Sequence, residues 1–386
     1  MRATGPTGSE VREIEEGVPP ARFARGWHCL GLADRFREGG PHEIEAFGTR
    51  LVVFAGEESG ELRVLNAYCP HMGGNLARGT VKGDSLACPF HGWLWSGDGQ
   101  CADIPYARRV PPRARTRSWR TLEENRQLFV WHDPEGAPPP EEVTIPRIEG
   151  VFDEGWSDWT WHTLRVEGSH CREVVDNVVD MAHFFYVHDS FPTYFKNVFE
   201  GHLATQYQAT APRTDLTSAE TVSAQGDTRS VASYHGPSYM VVYLDMDLAD
   251  GTTVETAMIN CHYPVSSDAF VLMYGAIVRK LPGMSDAQAA QAAAEVSQGL
   301  AAGFEQDIEI WRNKSRIDNP LLCDQDGPVY QLRRWYEQFY VDAADVTPEM
   351  TDRFEFEIDT ERAVRVWQAE VDANIARRAA EPAAGR

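Results

Sequence analysis

Nowhere in these 386 residues is there the run of about 18 apolar residues that a membrane span requires. The first residues, MRATGPTGSEVREIEEG, lack the charged-then-apolar order of a secretory signal, so a cytoplasmic protein is expected. Positive charge is scarce: 36 Lys and Arg face 58 Asp and Glu, a net charge of −22. That balance argues against nucleic acid or an anionic membrane surface as partner. The deficit is uneven. Residues 1–150 carry 18 basic against 21 acidic side chains (−3), residues 151–386 carry 18 against 37 (−19), as two domains with different surfaces would. The cysteines (29, 69, 88, 101, 171, 261 and 323) are odd in number and scattered, which speaks against a disulfide framework. No internal repeat is visible.

What is present divides the chain. Residues 1–20 read as a flexible leader. Residues 21–147 have the texture of a small all-β domain, with short apolar runs at 50–54, 62–65 and 128–131 between glycine turns. The acidic, proline-rich stretch 133–140 reads as a linker. Residues 148–386 form a larger region: a helix from Cys171 to about Val187, strands between about 203 and 280, and a long helix capped by Ser285 or Asp286. A last helix at about 361–378 precedes a frayed tail. The expected class is α+β.

Two constellations carry chemistry. The first is Cys69-Pro-His71, sixteen residues, then Cys88-Pro-Phe-His91. Two thiolates and two imidazoles on two loops suit either a four-ligand zinc site or a Rieske [2Fe–2S] cluster, in which two Cys hold one iron and two His the other. Gly73-Gly74 and Gly92 let backbone N–H groups approach bridging sulfides, and Pro70 and Pro89 stiffen the loops; both favour the cluster.

The second is Asn177-Val-Val-Asp180-Met-Ala-His183-Phe-Phe-Tyr-Val-His188. Steps of three hold Asn177, Asp180 and His183 near one helical face, and His188 requires the helix to end just before it. Two imidazoles and one carboxylate, with positions left open for O2, form the facial triad of non-haem Fe(II) oxygenases. The carboxylate assigned is Asp307. Phe304 and Trp311 lie three before and four after it, whereas Glu305 and Glu309 fall off that apolar face. Taken alone, the two histidines also read as ordinary core residues, and Asp307 as a surface acid. The upstream motif tips the balance, because a lone electron carrier has no need of so large a second domain. Asp180 beside His183 is assigned a further role, that of hydrogen-bonding a cluster histidine of a neighbouring subunit and giving the electron a short path.

At these residues the chain resembles the Rieske non-haem iron oxygenases, and within them the 3-ketosteroid 9α-hydroxylase oxygenase group. The likeness extends from about Phe23 to Val366 and is carried by 177–188, 260–264, 306–314 and 326–342. It implies a Rieske domain followed by a helix-grip catalytic domain, in a head-to-tail homotrimer. It implies a cluster, a mononuclear Fe(II), O2 as co-substrate, and a separate flavin (FAD)/iron–sulfur reductase drawing on NADH. It also implies oxygen insertion at C9 of a 3-ketosteroid such as androstenedione or androstadienedione, in steroid breakdown, with Asn177 and Asp180 in the catalytic site. Val178, Met240, Phe304 and Trp311 are the expected walls of an apolar steroid slot, and Gln206, Tyr234 and Asn260 its polar contacts. Selectivity is expected to be set between about 195 and 235. The competing readings are an oxygenase of an aromatic ring and an electron carrier without catalytic iron. Six Arg between Arg108 and Arg120 in an acidic chain read as a solvated face, or as a dock for an acidic reductase or the neighbouring subunit.

Overall fold

The computed structural model describes residues 11–216 and 225–380. The first half of the expected leader, the end of the expected tail, and 217–224 within the stretch expected to set selectivity lie outside the described residues.

The N-terminal region is built of small antiparallel sheets, as its short apolar runs dictate. One pairs Gly26–Leu32 with Gln127–His132 and Thr121–Glu124; another lines up His42–Ala46, Thr49–Ala55, Leu62–Asn66 and Ser118–Trp119. A third, of Thr80–Lys82, Ser85–Ala87, Leu94–Ser96 and Cys101–Asp103, lies between and after the cysteine loops. Helix α1 (Ala33–Arg37) closes one end.

The C-terminal region is organised on one eight-stranded antiparallel sheet. In spatial order its strands are His162–Glu167, Ala269–Val278, Thr253–Pro264, Tyr239–Leu248, Gln225–His235, Leu203–Ala211, Phe191–Glu200 and Phe354–Glu357. Helices α2 (Arg172–Asp176) and α3 (Met181–Tyr186) precede the first long hairpin. Helix α4 (Asp286–Asn313) crosses the sheet, and α5 (Val329–Glu337), α6 (Pro348–Thr351) and α7 (Glu361–Ala380) complete the chain. No helix among the described residues is long and apolar enough to cross a membrane.

Helix α4 starts on Ser285, whose hydroxyl accepts from the Gln288 N–H while the Gln288 side chain accepts from the Ser285 N–H. A cap of this kind contributes about 1 kcal/mol. Its buried stripe runs Ala289, Ala293, Ser297, Phe304, Asp307, Ile308, Trp311, so the face that binds the sheet also carries one carboxylate inward.

The two regions are not beads on a string. Trp27, Phe129 and Trp131 share one continuous core with Tyr239, Val241, Ile259, Tyr263 and Met273 from the outer face of the large sheet. The expected linker is held in place: the Trp131 indole donates to Ala137 O and the Trp27 indole to Val143 O. Three buried histidines mark the seam. His28 and His132 both reach Ala24 O at 3.1 Å, Phe47 stacks on His132 at 4.6 Å, and His262 lies on the sheet side. The leader departs from expectation as well. Residues 13–18 are fixed, because Glu16 bridges Ile317 and Arg172 donates to the carbonyls of Gly17 and Val18. Backbone groups that find partners of this kind do not stay free.

Candidate functional site

Two loops present the cysteine and histidine pairs in the same turn. The Cys69 N–H donates to Gly74 O and the Gly73 N–H to Cys69 O, both at 2.9 Å; the Cys88 N–H donates to Trp93 O at 2.8 Å and the Gly92 N–H to Cys88 O at 2.9 Å. Gly73 and Gly92 take φ of +74° and +72°, open to glycine at little cost. A Cβ at Gly74 would stand 2.7 Å from Cys88 Sγ. The rings of His71 and His91 lie 4.7 Å apart, and Trp93 stacks on His71 at 4.4 Å while its indole donates to the Tyr106 hydroxyl. Burial, aided by the neighbouring Cys88, raises the Cys69 pKa. Buried sulfurs of this kind ionise readily only against a cation. His91 Nδ1 is buried without a hydrogen-bond partner, as a ligand nitrogen without its metal would be. The residues fit a cluster on both counts.

The second site departs from the expected continuous helix. The chain runs as α2, one 3-10 turn over Asn177–Val179, a break at Asp180 (φ −97°, ψ 92°), then α3. Asp180 caps α3 by accepting from the His183 N–H. The break is the device that turns His183 inward, because it frees the Asp180 carbonyl to accept from His183 Nδ1. With Nδ1 donating, the lone pair of His183 sits on Nε2. The helix stops at Tyr186, and His188 follows two residues later.

One ligand atom each of His183, His188 and Asp307 lies within 4.8 Å of the others. The histidine rings are 4.9 Å apart and nearly perpendicular. Asp307 Oδ1 is 3.3 Å from His188 Nε2, and Asn177 Nδ2 donates to Asp307 Oδ2 at 3.0 Å. Burial lowers the His183 pKa against the pull of Asp180. At His188 burial acts downward too, but the hydrogen bond and charge of Asp307 outweigh it and the pKa rises. Asp307 is buried, while Glu305 and Glu309 are exposed. A buried carboxylate facing two imidazoles calls for a cation. The donor set of two nitrogens and one oxygen suits iron with open positions.

Strand register assembles the expected pocket residues. Tyr234 pairs with Met240, Met240 with Asn260, and Asn260 with Tyr274, one row on the inner face of the sheet. Tyr274 meets the ring of Phe304 at 5.0 Å, and Trp311 lies in the same cluster, so the row continues onto α4. The Tyr234 hydroxyl and Asn260 Oδ1 are buried without partners. Val178 and Gln206 are differently engaged: Val178 is core, packed with Leu332 and Trp335, and Gln206 donates to its carbonyl at 2.9 Å. Three contributors were not foreseen. Tyr274 emerges only from pairing, and Gln306 is an exposed residue that reaches His188 Nδ1 at 3.2 Å. The third is the knot of Glu173, Asp176, Arg316 and Arg333, which ties α2 to the end of α4. Sequence offers no periodic signal for contacts of this kind. All six arginines of the 108–120 run are exposed, and among the described residues none closes an ion pair; Arg117 lies over Trp119.

Residues 26–116 match the Rieske [2Fe–2S] domain, and residues 130–340 match the 3-ketosteroid 9alpha-hydroxylase C-terminal domain. The chain is 63% identical over 371 residues to a 3-ketosteroid-9-alpha-monooxygenase oxygenase component of Rhodococcus rhodochrous, covering 96% of this chain and 95% of that one. It is 54% identical to the same component of Mycobacterium tuberculosis, covering 97% and 96%. Among solved structures it resembles dicamba monooxygenase in fold, with a TM-score of 0.67 at 19% identity over 83% of this chain and 98% of that one. A Rieske domain is thus joined to a helix-and-sheet catalytic domain, and the chain belongs to the 3-ketosteroid 9α-hydroxylase oxygenase family.

Proposed function

We propose that this chain is the terminal oxygenase of a two-component monooxygenase that hydroxylates 3-ketosteroids at C9 in steroid degradation. The observation that carries the reading is the triangle of His183, His188 and Asp307, joined through α4 to an apolar wall that ends in unpartnered polar atoms. Cys69, His71, Cys88 and His91 would hold the [2Fe–2S] cluster, and the triangle the single iron. When bound, these groups supply electrons one at a time and reduce dioxygen. The chain's own residues do the rest. Tyr274, Phe304 and Trp311 shape an apolar surface for a rigid tetracycle. The unpartnered Tyr234 hydroxyl can donate to a ring ketone, and Asn260 Oδ1 can accept from a hydroxyl donor. Burial of the site excludes water from the reacting carbon.

In this reading 21–147 is the electron-carrying unit and 148–386 the catalytic one. The electrons come from NADH through a separate FAD and iron–sulfur reductase. The Asp180 side chain, 53% exposed beside the largely buried His183, suits a contact with a second copy of the chain. A head-to-tail homotrimer would bring the neighbour's cluster histidine there. The exposed arginine run then serves as the docking face for an acidic partner.

The test is turnover of androstadienedione by iron-replete protein with NADH and a flavin/iron–sulfur reductase, products identified by mass and NMR. A 9-hydroxylated steroid, or its ring-B-opened product, supports the reading. NADH oxidation with peroxide and no oxidised steroid overturns the substrate, and cis-dihydroxylation of an aromatic hydrocarbon offered in its stead would put the competing reading in its place. For Asp180→Asn, the expected outcome is unchanged iron content with turnover reduced roughly 100-fold. Normal turnover in that variant removes Asp180 from the electron route.

A further inference from the structure

We propose that Gln306 is a positioning residue of the iron site: its amide oxygen holds His188 in the tautomer whose Nε2 keeps a lone pair for the metal. The inference rests on His183, His188 and Asp307 being the iron ligands.

The two histidines are held by different means. His183 is oriented by its own segment, through the carbonyl of Asp180 three residues earlier. His188 lies beyond the end of α3, where its N–H and that of Val187 both turn back to His183 O and leave its ring without a local carbonyl. Both partners of the ring come instead from consecutive residues of α4. Gln306 Oε1 meets Nδ1 at 3.2 Å, and Asp307 Oδ1 lies 3.3 Å from Nε2.

A neutral imidazole carries one N–H, and two acceptors compete for it. If the proton goes to Nε2, toward Asp307, the nitrogen facing the other ligands loses its lone pair. If it goes to Nδ1, toward Gln306, Nε2 and the carboxylate are both left free to bind a cation. An acceptor at Nδ1 therefore decides whether the site is ready for metal. The amide of Gln306 can also turn over and offer its NH2 group to Nδ1, which would favour the wrong tautomer, so a carboxylate at this position would be at least as effective. Gln306 is exposed and outside the buried stripe of α4, so its replacement leaves the core intact.

The experiment compares wild type, Gln306→Leu and Gln306→Glu as full-length protein. Each is dialysed against a graded series of an iron chelator, with total iron and cluster absorption read on the same samples. The Leu variant is expected to release the single iron at a 10- to 100-fold lower chelator concentration, the range typical for loss of a histidine's outer hydrogen-bond partner. Its cluster absorption and melting temperature should be unchanged. The Glu variant should hold iron as firmly as wild type or more so. Wild-type retention in the Leu variant, or weakening by Glu as severe as by Leu, overturns the proposal. A wild-type protein that never holds iron beyond the cluster pair overturns the ligand assignment beneath it, and only that outcome shows in wild type.

Discussion

Asp307→Ala is expected to leave a brown protein with cluster iron alone and steroid hydroxylation at background. Asp307 is the only carboxylate within reach of both His183 and His188 among the described residues. It is also an acceptor for Asn177 and is packed beside Phe304, Ile308 and Trp311. Removing it leaves two neutral imidazoles, too few ligands and no charge to hold a divalent ion against solvent. With the metal goes the charge stabilisation it provides, several kcal/mol, so the loss in rate should exceed about 10³-fold. The fold should survive, since an Ala at this point removes a buried charge and adds no bulk. Iron analysis, absorption and product assay on one preparation are sufficient. A variant that keeps the additional iron would move the ligand role to another acid. The contrast with Asp180→Asn is the informative part: one variant loses metal, while the other keeps it and loses the electron.

Acid is expected to part the two regions of the chain along the histidine seam. Burial, then the mutual repulsion with His132, holds His28 down to about 3. Burial and the nearby Arg117 hold His132 to about 4, despite the Ala24 carbonyl. Burial, then His28 and His170, hold His262 to about 3. All three lie below the usual value of about 6.5 for an unfolded chain, so the unfolded state binds the extra protons. Stability is therefore intact above pH 6.5 and is lost as the pH falls toward 4. The slope is on the order of 1.4 kcal/mol per pH unit for each histidine, roughly 4 for the three. Against a total of about 5–15 kcal/mol, that brings unfolding near pH 5. Denaturant midpoints measured from pH 7.5 to 5 should fall steeply, with His170 and His235, both held to about 4 by burial, adding to the slope. His262→Gln should remove on the order of 1.4 kcal/mol per pH unit from it. An unchanged slope in that variant would show that other groups carry the acid sensitivity.

The two metal sites were legible in the sequence to very different depths. Cys69, His71, Cys88 and His91 announce themselves because the loops that hold them are short, and glycine and proline leave a local signature. The capped start of α4 and the burial of Asp307 were legible too, through a 3.6-residue stripe and Ser285. The break at Asp180 was not. The 3,3 spacing of Asn177, Asp180 and His183 reads as one helix, and only the captured carbonyl of Asp180 reveals the interruption. The pocket row of Tyr234, Met240, Asn260 and Tyr274 depends on strand register, which sequence specifies only through which side chains face inward. Likeness to the family supplied three of those four residues and left Tyr274 unnamed. The seam was illegible for a simpler reason. His28 and His262 are 234 positions apart, and nothing local to either marks it as buried. The same holds for residues 13–18, whose partners are Arg172 and residues 316–319, far along the chain.

The shared core imposes an order of events during synthesis. Trp27, Phe129 and Trp131 leave the ribosome long before Ile259, Tyr263 and Met273, the residues that cover them. At about 5–20 residues per second, the wait is roughly ten seconds. For that time the first region presents a row of aromatic side chains to the cell. A chain interrupted before residue 239 would keep that surface bare for good. Chaperone binding, or loss of truncated chains to aggregation, is thus a consequence of how the two regions are joined.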